Sequence, residues 1–132
     1  MRIHFRWVAT IFAVFLWVVA LNWMLFPALL LDMWDLPNDP AEQTLGLRVA
    51  GLVFGWGVAL FLARRQPPSP ARRAISYGSA SANAAAAAGG VYSVMAGLAG
   101  TGVLLPVVIE VVAAAAFILA ERAHQDADLA RA

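Results

Sequence analysis

Charged side chains divide an otherwise apolar chain at only a few places. From Trp7 to Leu31 about 25 residues pass without one, more than the roughly 20 that an α-helix needs to cross about 30 Å of hydrocarbon. A second apolar helix is predicted from about Pro40 to Ala63. Its start is marked by Asp39 as N-cap, Pro40 at the first helical position and Glu42 at the capping-box position. From Ala74 to Ile109 about 36 residues again lack charge, too many for one crossing at about 1.5 Å per residue. Gly97, Gly100 and Gly102 interrupt that run, giving a third helix and a fourth. The pattern predicts an all-α fold, a four-transmembrane-helix bundle, forming one integral membrane domain over residues 1–132 with spans at about 7–31, 40–63, 74–96 and 103–120.

Composition agrees with the pattern. The chain is 62% hydrophobic and 13% charged, with a mean hydropathy of +0.75, which excludes an ordinary soluble domain and a disordered chain together. Charge then orients the spans, because basic residues are retained on the cytoplasmic side. All nine basic residues are arginine. Arg2 and Arg6 precede the first span, Arg64, Arg65, Arg72 and Arg73 lie between the second and third, and Arg122 and Arg131 follow the fourth. The segment between the first two spans carries Asp32, Asp35, Asp39 and Glu42 and no basic residue. Both termini are therefore expected in the cytoplasm, with Trp7 and Tyr77 at the inner interface and Trp34 at the outer one. Val18-Val19-Ala20 loosely fits a signal-peptidase site, but the apolar run continues to Leu31, so a retained first helix is expected. The segment from Arg64 to Arg73, with Pro67, Pro68 and Pro70, reads as a short, stiff, extended connector whose arginines set topology and attract anionic headgroups. A net charge of +1, with the arginines within a headgroup's reach, argues against nucleic acid as a partner.

Two ionisable residues fall inside the predicted spans, where each needs a partner or a function. Glu110 lies about halfway down the fourth helix, four residues after Pro106. Arg48 lies in the outer part of the second, on one stripe with Thr44, Gly51 and Gly55. Gly51 and Gly55 form a G-x-x-x-G pair, so the stripe is expected to face another helix. The depths of Arg48 and Glu110 differ by roughly 5 to 8 Å at about 5.4 Å per turn, and an intramembrane ion pair is the leading expectation. The alternative is that Arg48 snorkels to Asp35, Asp39 or Glu42. The third helix carries small or polar residues at Ser76, Ser79, Asn83, Ala86, Gly90, Ser93 and Gly97, a stripe suited to close packing, with Ser79 and Gly90 as packing positions. The small side chains also leave room for a cavity receiving Asn83, Tyr92 and Glu110, with Asn22 at a similar depth. Trp17, Trp23 and Trp56 are candidate walls. Apolar walls with a few convergent polar groups describe a site for a lipid-like ligand.

Several chemistries have no residues to carry them. There is no cysteine, hence no thiol nucleophile, disulfide or iron–sulfur site. His4 and His124 lie at the predicted cytoplasmic ends, so neither a bis-histidine haem within the bilayer nor a histidine-rich metal centre is expected. No phosphate-binding loop, nucleophile elbow or second intramembrane acid is present. The expectation is no cofactor, no metal and no autonomous enzyme activity.

Pro27, the stretch Leu45-x-x-Arg48-x-x-Gly51-x-x-x-Gly55-x-Gly57 and the closing Ala63-Arg64 resemble small bacterial four-helix membrane proteins of the DoxX-like kind and their uncharacterised relatives, most of which have no assigned activity. The resemblance implies a multi-pass protein of the bacterial cytoplasmic (inner) membrane, and some DoxX proteins are linked to sulfur and quinone redox chemistry. The absence of cysteine removes a thiol-based role. Three functions are then open. The first expectation is an accessory or scaffolding subunit that packs with itself, as a homo-oligomer, or with a larger membrane complex. The second is a binder of a lipid-like or quinone-like molecule held by Glu110, Arg48, Asn22 and Asn83. The third is a dimeric proton-coupled transporter using Glu110.

Overall fold

The structure, a computed structural model, describes residues 4–129, with side chains as far as residue 123. Arg2, Arg131 and the His124 side chain, invoked above for topology and metal binding, lie outside the described residues. The chain is all-helical: α1 (Phe5–Leu25), α2 (Pro27–Met33), α3 (Pro40–Ala63), α4 (Pro70–Met95), a 3₁₀ turn (Thr101–Val103) and α5 (Leu104–Leu129). Three helical stretches, Phe5–Leu25, Pro40–Ala63 and Thr101–Ala123, are long and apolar enough to cross a membrane, with mean hydropathies of 2.2, 1.9 and 2.7. These mark a membrane protein. The 26 residues of α4 match α5 in length, but serines, glycines, Asn83, Arg72 and Arg73 leave it less apolar than the other three.

Three boundaries differ from the sequence expectation. The run over 7–31 is broken: α1 ends at Leu25, Phe26 leaves the helical region (φ −139°, ψ 55°), and α2 starts on Pro27. Proline lacks the N–H that would continue the ladder, and it biases the residue before it away from helix. The expected extended connector over 64–73 is also shorter. Ser69 caps α4, its Oγ accepting from the Arg72 N–H at 3.2 Å, and Pro70 takes the first helical position. Arg72 and Arg73 are therefore helical. At the other end, α5 continues past residue 120 to Leu129.

Two left-handed stops shape the opposite end of the molecule. After α2, Asp35 has φ 53° and the Leu36 N–H donates to the Leu31 carbonyl at 2.9 Å. After α4, Gly97 has φ 70° and the Leu98 N–H donates to the Ser93 carbonyl at 2.9 Å. Both are helix terminations that return orphan carbonyls to hydrogen bonding. The two turns are joined, because the Gly100 N–H donates to the Trp34 carbonyl at 2.7 Å.

α1 packs along α3, α4 packs along α5, and α1 meets α5 to join the pairs. Hydrocarbon offers no hydrophobic force between helices, so association rests on close packing, which small residues permit. On α3 the glycines that do this are Gly46 and Gly57. A Cβ at Gly46 would collide with the Trp23 ring, and one at Gly57 would stand 2.8 Å from Trp17 Nε1 and 3.2 Å from the Ala13 carbonyl. Gly51 and Gly55 have nothing within 4 Å of a built Cβ. The expectation that their stripe faces another helix is thus corrected within this chain: α3 turns its Gly46, Ala50 and Gly57 side inward. Between α4 and α5, Gly90 lies under Val103 and Val107. Towards the arginine-bearing end, the core closes around Phe5, Phe12 and Phe117, with the Phe12 and Phe117 rings edge to face at 5.6 Å.

Candidate functional site

The four long helices converge on a cavity of about 380 Å³. Phe12 and Leu16 from α1 and Leu52, Val53 and Trp56 from α3 form its apolar wall. α4 contributes Ala82, Asn83 and Ala86, and α5 contributes Glu110. The methyl side chains of Ala82 and Ala86 leave the room, as the small-residue pattern of this helix implies. Asn83 is buried and donates through Nδ2 to the Ser79 carbonyl one turn back at 2.8 Å. Glu110 is half-buried and has neither a hydrogen-bond nor an ion-pair partner among the described residues. The cavity thus presents a carboxyl group without a protein partner and a carboxamide inside an otherwise apolar wall.

The remaining sequence candidates do not join them. Asn22 donates to the Val18 carbonyl of its own helix at 3.0 Å. Tyr92 is exposed on α4. Ser79 is fully buried and donates back to the Ile75 carbonyl at 2.8 Å, a packing position beside Asn83. Of the three tryptophans, only Trp56 lines this cavity. Trp17 covers Gly57 and sits 5.2 Å from the Phe61 ring, and Trp23 covers Gly46 and meets Trp34 at 5.7 Å.

Arg48 is exposed, and among the described residues no carboxylate lies within 4.0 Å of it. The expected Arg48–Glu110 ion pair is therefore not formed, nor is a direct contact with the outer acids. Two residues along a helix turn about 200°, so the inward position of Gly46 sends Arg48 to the opposite face.

The ion pair of the described residues is elsewhere, between Arg72 Nη2 and Glu121 Oε2 at 3.5 Å, with both side chains buried. The same Glu121 oxygen accepts from Ser76 Oγ at 3.2 Å. Arg72 Nη1 reaches the Gln66 carbonyl at 3.5 Å, and its guanidinium carbon stands 5.1 Å from the Phe5 ring centroid. Sequence reasoning missed this network. It placed Arg72 in an extended connector and assigned Glu121 no role. The available signal was Ser69-Pro70, the same cap-and-proline start as Asp39-Pro40, which makes Arg72 helical and sets it one turn from Ser76.

The geometry of the cavity suits binding. A carboxyl group and a carboxamide can hydrogen-bond a hydroxyl, carbonyl or amine while apolar walls take a hydrocarbon body. Among the described residues no group of three His, Asp or Glu side chains is placed to hold a metal ion. Comparison with protein-family models, with curated proteins and with solved structures gives no match to this chain.

Proposed function

We propose that this is a multi-pass inner-membrane protein that binds a lipid-like amphipathic molecule in the cavity between its four long helices, with Glu110 and Asn83 as the polar contacts. The observation that carries the reading is that helices of a single protomer bring both groups to one open cleft, with Glu110 lacking a protein partner among the described residues. A dimeric proton-coupled transporter would need Glu110 at an interface between copies. A quinone is one such amphipathic molecule, and the resemblance of the Pro27 to Arg64 stretch to DoxX-like proteins is compatible with it.

The proposed setting is a four-span bundle with both termini in the cytoplasm. Its support is the separation of charge along the long axis. Arg6, Arg64, Arg65 and Arg72 gather at one end, while Asp32, Asp35, Asp39 and Glu42 belong to the other, which the Trp34–Gly100 hydrogen bond also joins to the α4–α5 turn.

The test is native mass spectrometry of protein released from its own membrane in mild detergent. A reproducible adduct unlike bulk phospholipid is expected on the natural chain and is lost, or retained several-fold less, in Glu110→Gln and Asn83→Ala. Bare protein, or an adduct indifferent to both substitutions, overturns the reading.

A second reading has its own observation. Gly51 and Gly55 lie on an uncovered face of α3, the kind of surface that receives another membrane helix. An accessory or scaffolding subunit would use it, and release of a second polypeptide, or of a second copy, together with the protein would support that role.

A further inference from the structure

At the opposite end of α1 from Pro27, the chain carries a second, very different and open cavity of about 350 Å³. Its lining includes the guanidinium-bearing side chains of Arg6, Arg64, Arg65 and Arg72, together with His4 and Gln66, and, among the described residues, no carboxylate. Guanidinium groups gathered at one end repel one another, and an anion that enters between them relieves that repulsion. Glu121 offsets Arg72 alone, through one oxygen at 3.5 Å.

Arg72 supplies a second observation. It is 4% exposed, and its Nε–H is buried with no hydrogen-bond partner. A buried donor on a charged group costs on the order of 1–3 kcal/mol when left unpaired. Arg64 is fixed at the rim: it donates to the Phe61 carbonyl and lies over the Phe61 ring at 3.3 Å. Desolvation first, and then the charges of Arg65 and Arg6, push its pKa below the ordinary guanidinium value.

The cavity also has an apolar neighbour. A groove of about 420 Å³ runs between α1 and α5, walled by Trp7, Ile11, Phe15 and Val112 among others, and it shares His4 with the basic cavity. An open basic depression at one end of the bundle that meets an apolar groove along it has the layout of a charged headgroup above a hydrocarbon chain.

We infer that the basic cavity is a site for the phosphate group of an anionic phospholipid, whose acyl chain lies in the α1–α5 groove. Arginine donors converge on phosphate oxygens with charge-assisted hydrogen bonds. The site is independent of Glu110 and Asn83, which lie in the other cavity, so the two readings can fail separately.

The test uses the full-length protein in detergent micelles, with phosphatidylglycerol, phosphatidylcholine of the same acyl chains, or inorganic phosphate added, and reads bound lipid by native mass spectrometry. Phosphatidylglycerol should be retained more than about tenfold over phosphatidylcholine, and Arg64→Gln combined with Arg65→Gln should remove that preference. Arg73→Gln is the control: Arg73 is exposed on the same segment but does not line the cavity, and its loss should leave retention unchanged. Equal retention of the two lipids overturns the site. So does an Arg73→Gln effect as large as that of the double variant, which would mean diffuse surface attraction. Inorganic phosphate that displaces phosphatidylglycerol at equal concentration overturns the lipid assignment and leaves a phosphate site. All variants are checked for an unchanged elution volume.

Discussion

Arg72 and Glu121 are 49 positions apart in the chain and end 3.5 Å apart in a buried pair. Removing one charge from such a pair leaves the other uncompensated, at about 3–5 kcal/mol, whereas removing both costs much less. Arg72→Met and Glu121→Gln are each expected to destabilise by that amount, and the double variant by less than their sum, with a coupling of about 0.5–3 kcal/mol. Reversible unfolding in mixed micelles measures it; strict additivity would mean that the two charges are solvated separately. Glu110 and Asn83 were legible in the sequence because each is a polar residue in an otherwise apolar or small-sided run, where a polar group is conspicuous. Arg72 and Glu121 were not, because each sits among other charged residues at a helix end and only tertiary packing distinguishes the buried one from its exposed neighbours. The orientation of Arg48 was misread for a related reason. Its position along α3 followed from sequence, but its direction depends on which side of α3 meets α1.

α3 illustrates that ambiguity at the level of the helix. It carries two sets of small residues, Gly46, Ala50 and Gly57 on one side and Gly51 and Gly55 on another, and helical periodicity marks both without choosing between them. The choice is made by Trp17 and Trp23, whose rings need the space over Gly57 and Gly46. Opposite signs of effect are therefore expected. Gly57→Ala pushes a methyl group against the Ala13 carbonyl and Trp17 and should destabilise by about 1–3 kcal/mol. Gly51→Ala enters open space and should be neutral or stabilise by up to about 1 kcal/mol through helix propensity. The same unfolding assay compares them. Gly51→Ala as damaging as Gly57→Ala would reveal a partner helix on that face, which is the accessory-subunit reading. The start of α3 was the most legible boundary, since Asp39-Pro40 states its cap locally, whereas the matching Ser69-Pro70 start of α4 was passed over. The break at Phe26 was missed because hydropathy alone treats Pro27 as one more apolar position, whereas its missing N–H ends the helix.

For the whole molecule, the relation between the ends is the decisive quantity. α4 and α5 run antiparallel, since Ser76 meets Glu121 near one end and Gly90 meets Val103 and Val107 near the other. The turn between them is held to the turn after α2 by the Trp34–Gly100 hydrogen bond. If α1 and α3 cross the bilayer, the 26 residues of α4, about 39 Å at about 1.5 Å per residue, are carried across with them despite a sequence rich in Ala, Ser and Gly. The absence of native cysteine makes this directly measurable with single cysteines and a membrane-impermeant maleimide on intact spheroplasts. Asn38→Cys and Thr101→Cys, both at exposed positions of the acidic end, should be labelled from outside. Pro68→Cys, in the arginine-flanked loop, should be labelled only after permeabilisation. The reverse pattern would invert the topology while keeping four spans. Labelling of Thr101→Cys together with Pro68→Cys, and not with Asn38→Cys, would mean that α4 does not cross. It would also break the Trp34–Gly100 link, and with it the four-helix arrangement on which the Glu110 and Asn83 cavity depends.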